Sequence, residues 1–306
     1  MTWLQLRLDT QPEDVSLLED LMLASGCVAV TLEDNADQPV LEPGVGETPL
    51  WQHTRLTGLY AADADMDAVL ATFPDDLLTR AAARVEILED KDWEREWMQH
   101  YQPMRFGSRL WVCPSWQEPP EPGAINLLLD PGLAFGTGTH PTTALCLEQL
   151  DGIDMTAPDN GPQVVDYGCG SGILAVAALK LGASRALGID NDPQALVASR
   201  DNAERNGIDP ARLELALPGA ADEQAWVGQA DIVVANILAG PLLQLSDTLL
   251  TLMRPGATLL MAGLLQSQAQ GLIAHYQPHI KLAVASEREG WVCLRGRLSE
   301  NQGATA

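Results

Sequence analysis

The chain has 306 residues, 46% hydrophobic and 20% charged, and its 42 acidic against 18 basic side chains leave a formal charge of −24. That length suits two domains with sizeable cores and excludes a mini-protein, while the composition excludes a disordered or collagen-like chain. So acidic a surface repels phosphate, which argues against general nucleic-acid binding; it reads either as a solubilising coat or as the complement of a basic partner. The five cysteines (Cys27, Cys113, Cys146, Cys169, Cys293) are scattered, without the close pairs of zinc or dithiol sites, so reduced thiols and no metal are expected. Residues 1–7 lack a cationic leader with an apolar core behind it, and no run approaches the roughly 18 apolar residues of a bilayer span. A cytoplasmic protein without membrane attachment is expected.

From the start of the chain, residues 3–8 alternate as a strand, 13–24 form an amphipathic helix, and 27–32 form a second strand. Residues 55–60 follow as a strand, 66–73 as a short helix behind a start signal at Asp63 or Asp65, and 84–88 as a strand. That β-α-β-β-α-β order predicts a small ferredoxin-like α+β domain over residues 1–89. Pro39, Pro43, Gly44, Gly46 and Pro49 make residues 35–50 a long surface loop. Residues 90–106 are expected to be a linker helix, with Trp93 and Trp97 on one face and Glu94 and Glu96 elsewhere; the tryptophans either join the domains or merely pack on the second.

Beyond this, residues 107–298 alternate strand and helix, which predicts a mostly parallel sheet with helices on both faces. Strands are expected at 163–166, 185–190, 213–217, 231–236 and 257–262, then a hairpin of 281–287 and 291–298 around Gly290, with 299–306 a frayed tail. Dinucleotide-binding sheets end on a parallel strand, whereas an antiparallel terminal hairpin on a seven-stranded sheet is the ending of the class I methyltransferase fold.

The sharpest motif is Val164-Val165-Asp166-Tyr167-Gly168-Cys169-Gly170-Ser171-Gly172, a strand entering a glycine loop that opens a helix. Glycines let the backbone turn tightly and approach a ligand, and the helix N-terminus offers free N–H groups to an anion. The spacing is G-x-G-x-G, and Ile173 stands where a dinucleotide fingerprint has its third glycine. S-adenosylmethionine suits such a loop, having a nucleoside, a carboxylate and an ammonium but no phosphate. Gly168 and Gly170 would then approach the cofactor, Asp166 could take the ammonium directly or through water, and Asp190 could accept the ribose hydroxyls. Asp192-Pro193 reads as a helix start.

A second glycine cluster, residues 129–143, has no following lysine, which excludes P-loop chemistry. It reads either as a lid whose Phe135 and Thr143 contact the cofactor or, at Thr139 and Pro141, as a helix start. Asn236 ends a central strand, where its carbonyl could accept a hydrogen bond from a substrate amine or simply tie down the next loop. His275 and His279 share i, i+4 spacing, but Pro278 interrupts the helix and no acid completes a metal set.

Residues 90–98, 103–107, 129–143, 168–172, 199–207 and 235–242 resemble the ribosomal protein methyltransferase A family, and the likeness spans both domains. The resemblance implies a class I enzyme that carries methyl groups from S-adenosylmethionine to lysine amines, up to trimethyl, and to the N-terminal α-amine of large-subunit stalk-base ribosomal protein eleven. It implies substrate recognition by the N-terminal domain, cofactor contacts at Thr143, Gly168, Asp190 and Asn236, and no direct nucleic-acid contact. The acid surplus favours the free, basic protein before ribosome assembly. Amide and exocyclic-amine methyltransferases carry Asn-Pro-Pro-aromatic here; Asn236-Ile237-Leu238-Ala239 disfavours a stacked planar substrate, including an RNA base. The competing readings are a nicotinamide-dependent oxidoreductase, which the loop spacing opposes, and a non-catalytic assembly factor holding the same cofactor.

Overall fold

Strand β1 (Trp3–Thr10) buries Leu6 and Leu8 and begins an antiparallel sheet in the computed structural model, which describes residues 2–36, 49–88, 101–130, 138–156 and 161–300. The chain divides into two units, residues 1–100 and 101–306. In the first, β2 (Ala29–Asp34), β3 (Thr54–Ala61) and β4 (Arg84–Leu88) complete the order β2-β3-β1-β4. Helix α1 (Pro12–Ala24) contributes Val15, Leu18 and Met22 to a core with Leu56, Tyr60 and Phe73. This is the ferredoxin-like order.

In this first unit one helix differs from expectation. In place of one helix over 66–73 there are two, α2 (Met66–Leu70), capped by the Asp65 side chain, and α3 (Asp75–Arg80). Pro74 lacks an N–H and pushes the residue before it away from helical geometry, so the first helix ends and a second starts. Of the long loop expected over 35–50, residues 37–48 lie outside the described residues, as do 89–100 with both tryptophans of the expected linker helix.

The end of that linker is corrected: Met104–Phe106 is a strand, β5, antiparallel to β6 (Leu110–Cys113), which pairs in parallel with β7 (Ile125–Leu128). Pro103 denies a helix its N–H, and Gly107 turns the chain at φ 66°. A Cβ at Gly107 would overlap the Asp151 carboxylate, which accepts from Ser108 N (2.7 Å), Ser108 Oγ (3.1 Å) and Arg109 Nε (3.3 Å).

The second unit continues with α4 (Pro141–Asp151), β8 (Gln163–Tyr167), α5 (Ile173–Leu181), β9 (Arg185–Ile189), α6 (Pro193–Arg205) and β10 (Leu213–Ala216). After α7 (Ala221–Ala225) come β11 (Ala230–Asn236), α8 (Ala239–Gln244), α9 (Ser246–Leu252), β12 (Met253–Leu265), α10 (Gln266–Tyr276), β13 (Ala283–Arg288) and β14 (Trp291–Arg297). The seven strands order as β10-β9-β8-β11-β12-β14-β13, with β14 antiparallel to both neighbours and the others parallel. This α/β sheet with its antiparallel ending is the class I methyltransferase arrangement, as expected.

Alternate residues of each central strand enter different cores. Val164, Ile232 and Val234 join α4 and α5 on one face; Val165, Val233 and Ala235 join α8, α9 and α10 on the other. Burial on both faces is why these strands read as continuous apolar runs. The chain leaves β8 toward β9 and β10, then returns to β11 on the other side of β8, so a switch-point crevice opens at the carboxyl ends of β8 and β11. No helix among the described residues is long and apolar enough to cross a membrane.

Candidate functional site

At the end of β8, Gly168, Gly170 and Gly172 take φ values of 78°, 54° and 75°, a left-handed backbone that glycine adopts without Cβ strain. The loop is tied down from below. Ile189 O accepts from Gly168 N (2.7 Å) and Cys169 N (3.0 Å), while Asp190 Oδ2 accepts from Gly170 N (2.8 Å) and its Oδ1 from Asp192 N (3.0 Å). Asp192 caps α6 by accepting from Gln194 N, with Pro193 behind it, as its sequence suggests.

Asp166 is 0% exposed and its Oδ2 accepts from Ala175 N (3.0 Å) in the first turn of α5. Burial, opposed by that bond and reinforced by the Asp190 charge, pushes its carboxyl up to about 7. Its Oδ1 is buried and has no partner among the described residues, an arrangement that a nearby cation would compensate. Asp166 sits under the loop and anchors it to the first turn of α5.

One face of α6 also holds this loop, a role that the sequence reading missed. Ser199 Oγ donates to Gly170 O (3.0 Å) and Asn202 Nδ2 to Ser171 O (2.8 Å). Just past the helix, the Asn206 amide brackets Leu128, accepting from its N (2.8 Å) and donating to its O (2.7 Å). A Cβ on Gly172 would lie 2.7 Å from Ser199 Oγ and 3.0 Å from its Cα, so glycine permits this helix to close against the loop. The signal was Ser199, Asn202 and Asn206 at i, i+3 and i+7, a polar stripe easily taken for a solvated face.

The second wall comes from β11 and α4. Asn236 Nδ2 donates to Oγ1 of Thr143 (3.2 Å), itself 0% exposed, and Asn236 Oδ1 is buried without a partner among the described residues. Thr143 lies in the first turn of α4, but the cap is His140 and not Thr139: His140 Nδ1 accepts from Thr142 N (3.3 Å), and Pro141 fills the first helical position. Burial pushes His140 below its ordinary pKa, which favours the neutral ring that such a cap needs. Phe135 lies outside the described residues. Distant from this crevice in sequence, His275 shares a hydrogen bond with Ser246 Oγ (2.9 Å).

Thr143, Gly168, Gly170, Asp190 and Asn236 thus stand on the elements that border one crevice. The model of the family described as ribosomal protein L11 methyltransferase (PrmA) matches residues 2–299. The chain belongs to that family. Its similarity to the ribosomal protein L11 methyltransferase of Azotobacter vinelandii is 56% identity over 300 residues, 97% of this chain and 99% of that one. With the same-named protein of Marinobacter nauticus it is 50% over 302 residues, 97% and 99% of the two chains. The crystal structure of ribosomal protein L11 methylase from Lactobacillus delbrueckii subsp. bulgaricus superposes with a TM-score of 0.56 at 29% identity, over 65% of this chain and 100% of that one.

Proposed function

We propose that the chain is an S-adenosylmethionine-dependent N-methyltransferase of ribosomal protein L11, acting on lysine side-chain amines and the N-terminal α-amine, up to the trimethylated state. Family membership supports methyl transfer and the substrate. The acceptor chemistry rests on Asn236: one of its amide N–H groups donates to Thr143, and its Oδ1, without a partner among the described residues, can accept from an amine N–H in the crevice.

The residues present fit the cofactor. The three glycines leave room for close approach, and the Asp190 carboxylate, fixed by two backbone N–H groups, keeps lone pairs for ribose hydroxyls. Asp166 Oδ1, without a partner among the described residues, would supply negative potential beneath the loop toward an ammonium. When bound, S-adenosylmethionine would supply an electrophilic methyl group on a cationic sulfur, open to in-line attack by a neutral amine with the thioether as leaving group.

An unperturbed lysine is only about 0.1% neutral near pH 7.5, against roughly a third of an α-amine. Lysine must therefore lose a proton to solvent first, and desolvation beside a cation lowers its pKa. In this account Asn236 and nearby carbonyls align the lone pair, no strong general base is used, and proximity supplies most of the acceleration. Residues 1–89 recognise L11 before its assembly into the ribosome, in the cytoplasm and without direct contact to RNA. The test is intact-mass spectrometry of unmethylated L11 incubated with the enzyme, with and without S-adenosylmethionine, followed by peptide mapping. Methyl-sized gains on lysine and N-terminal amines are expected. Absence of gain with the cofactor demonstrably bound would overturn catalysis in favour of a cofactor-holding assembly factor.

A further inference from the structure

The relative placement of donor and acceptor has an unassigned determinant. Parallel pairing between β8 and β11 ends at Tyr167 and Ala235, and pairing between β11 and β12 ends at Asn236 and Ala262. Ile237 is the first residue beyond both ladders. There, side-chain and backbone packing take over from hydrogen bonding. A Cβ added to Gly168 would overlap the Ile237 Cγ2 methyl, so that methyl occupies the notch which the missing side chain leaves. On its other side, a Cβ on Gly263 would overlap the Ile237 carbonyl oxygen and lie 2.7 Å from its carbonyl carbon and 3.0 Å from its nitrogen. Gly263 stands at φ 84°, where the β12–β14 register shifts.

We propose that Ile237 is a positioning residue for methyl transfer: its β-branch, seated on Gly168, and its backbone, seated on Gly263, lock the strand end bearing Asn236 to the cofactor loop. The inference rests on the reading above that Asn236 orients the amine. In-line displacement tolerates little error between the donor carbon and the amine lone pair, and misplacement by about 1 Å can cost on the order of a hundredfold in rate. A β-branched side chain is stiff about χ1, which suits a residue that must hold such a register. Ile237 also packs on the core cluster containing Tyr167 and Ala235, so a role in stability alone must be separated by experiment.

The test compares Ile237→Val, Ile237→Leu and Ile237→Ala by kcat and KM on L11, cofactor Kd and Tm. Valine keeps the γ-methyl that sits on Gly168, whereas leucine keeps the volume and loses the branch. Expected are a valine enzyme within about twofold of wild type and leucine and alanine enzymes reduced about tenfold or more in kcat, with cofactor Kd within about threefold. Alanine leaves a gap in place of a clash and keeps the test decisive if leucine prevents folding. Wild-type kcat in the alanine variant, or a loss of kcat in every variant that only follows Tm, would overturn the proposal. Asn236→Ala is run alongside: normal turnover there refutes the amine-orienting reading, whereas an impaired Asn236→Ala with fully active Ile237 variants refutes the role of Ile237 alone.

Discussion

One N–H of the Asn236 amide donates to Thr143 and its Oδ1 has no partner among the described residues, an asymmetry that, on the proposed function, suits it to accept from an amine as well as to tie the loop. Replacing it with alanine removes the unpartnered acceptor proposed for the incoming amine, and a loss of about ten- to a hundredfold in kcat is expected, with a smaller change in cofactor Kd. Steady-state kinetics beside a cofactor titration check this; unchanged kcat would contradict it. Asp166 predicts a pH dependence. Its folded pKa is raised from 3.8 to about 7, so between these values the folded protein holds more protons than the unfolded one. Stability therefore falls as pH rises through that window, by roughly 4 kcal/mol for such a difference, and the cost is fully present above about pH 7. Asp166→Asn should flatten this part of the stability curve in chemical unfolding from about pH 4 to about pH 8. A cation bound above the loop favours the ionised carboxyl, so wild-type cofactor affinity should rise from about pH 6 to about pH 7.5 and that of the Asn variant should not.

Among the elements, α6 does more than cover the sheet. Its polar stripe reaches the glycine loop through Ser199 and Asn202, and Asn206 beyond its end holds the end of β7 through Leu128. Asn206→Ala removes both bonds to Leu128 and should cost about 1–3 kcal/mol in unfolding free energy, more than an exposed asparagine would. Gly172→Ala combines a left-handed φ with a collision at Ser199; about 1–3 kcal/mol and weakened cofactor binding are expected, measured by Tm and isothermal titration. The long elements were legible because their signals are strong: β8 and β11 are apolar on both faces, and Asp192-Pro193 marks a helix start. Short strands carry too few residues to establish a period, which is why β5 at Met104–Phe106 was read as the end of a helix. The split at Pro74 and the cap at His140 depend on local backbone geometry that composition only suggests. Of the site, Gly168, Asp190 and Asn236 were visible as motif ends of strands. The roles of Ser199, Asn202 and Gly263 were not, because a polar helix face and a glycine inside an apolar strand acquire meaning only from what packs against them.

At the level of the whole molecule, the charge of −24 bears on substrate selection. Attraction to a basic ribosomal protein raises encounter rates and is screened by salt, so kcat/KM on free L11 should fall severalfold from about 50 mM to about 300 mM salt while kcat stays constant. Intact large subunits, which present RNA phosphate, should be methylated more slowly than free L11 at low salt; equal rates would remove the electrostatic argument. The central claim is that one crevice, between the glycine loop and Asn236, carries methyl groups to amines of L11. Its most direct test is intact-mass spectrometry of unmethylated L11 after reaction with wild-type enzyme and with Asn236→Ala, both saturated with S-adenosylmethionine. The account predicts successive methyl-sized gains with wild type and little or none with the variant over the same time. Equal gains with both, or none with wild type, would contradict it.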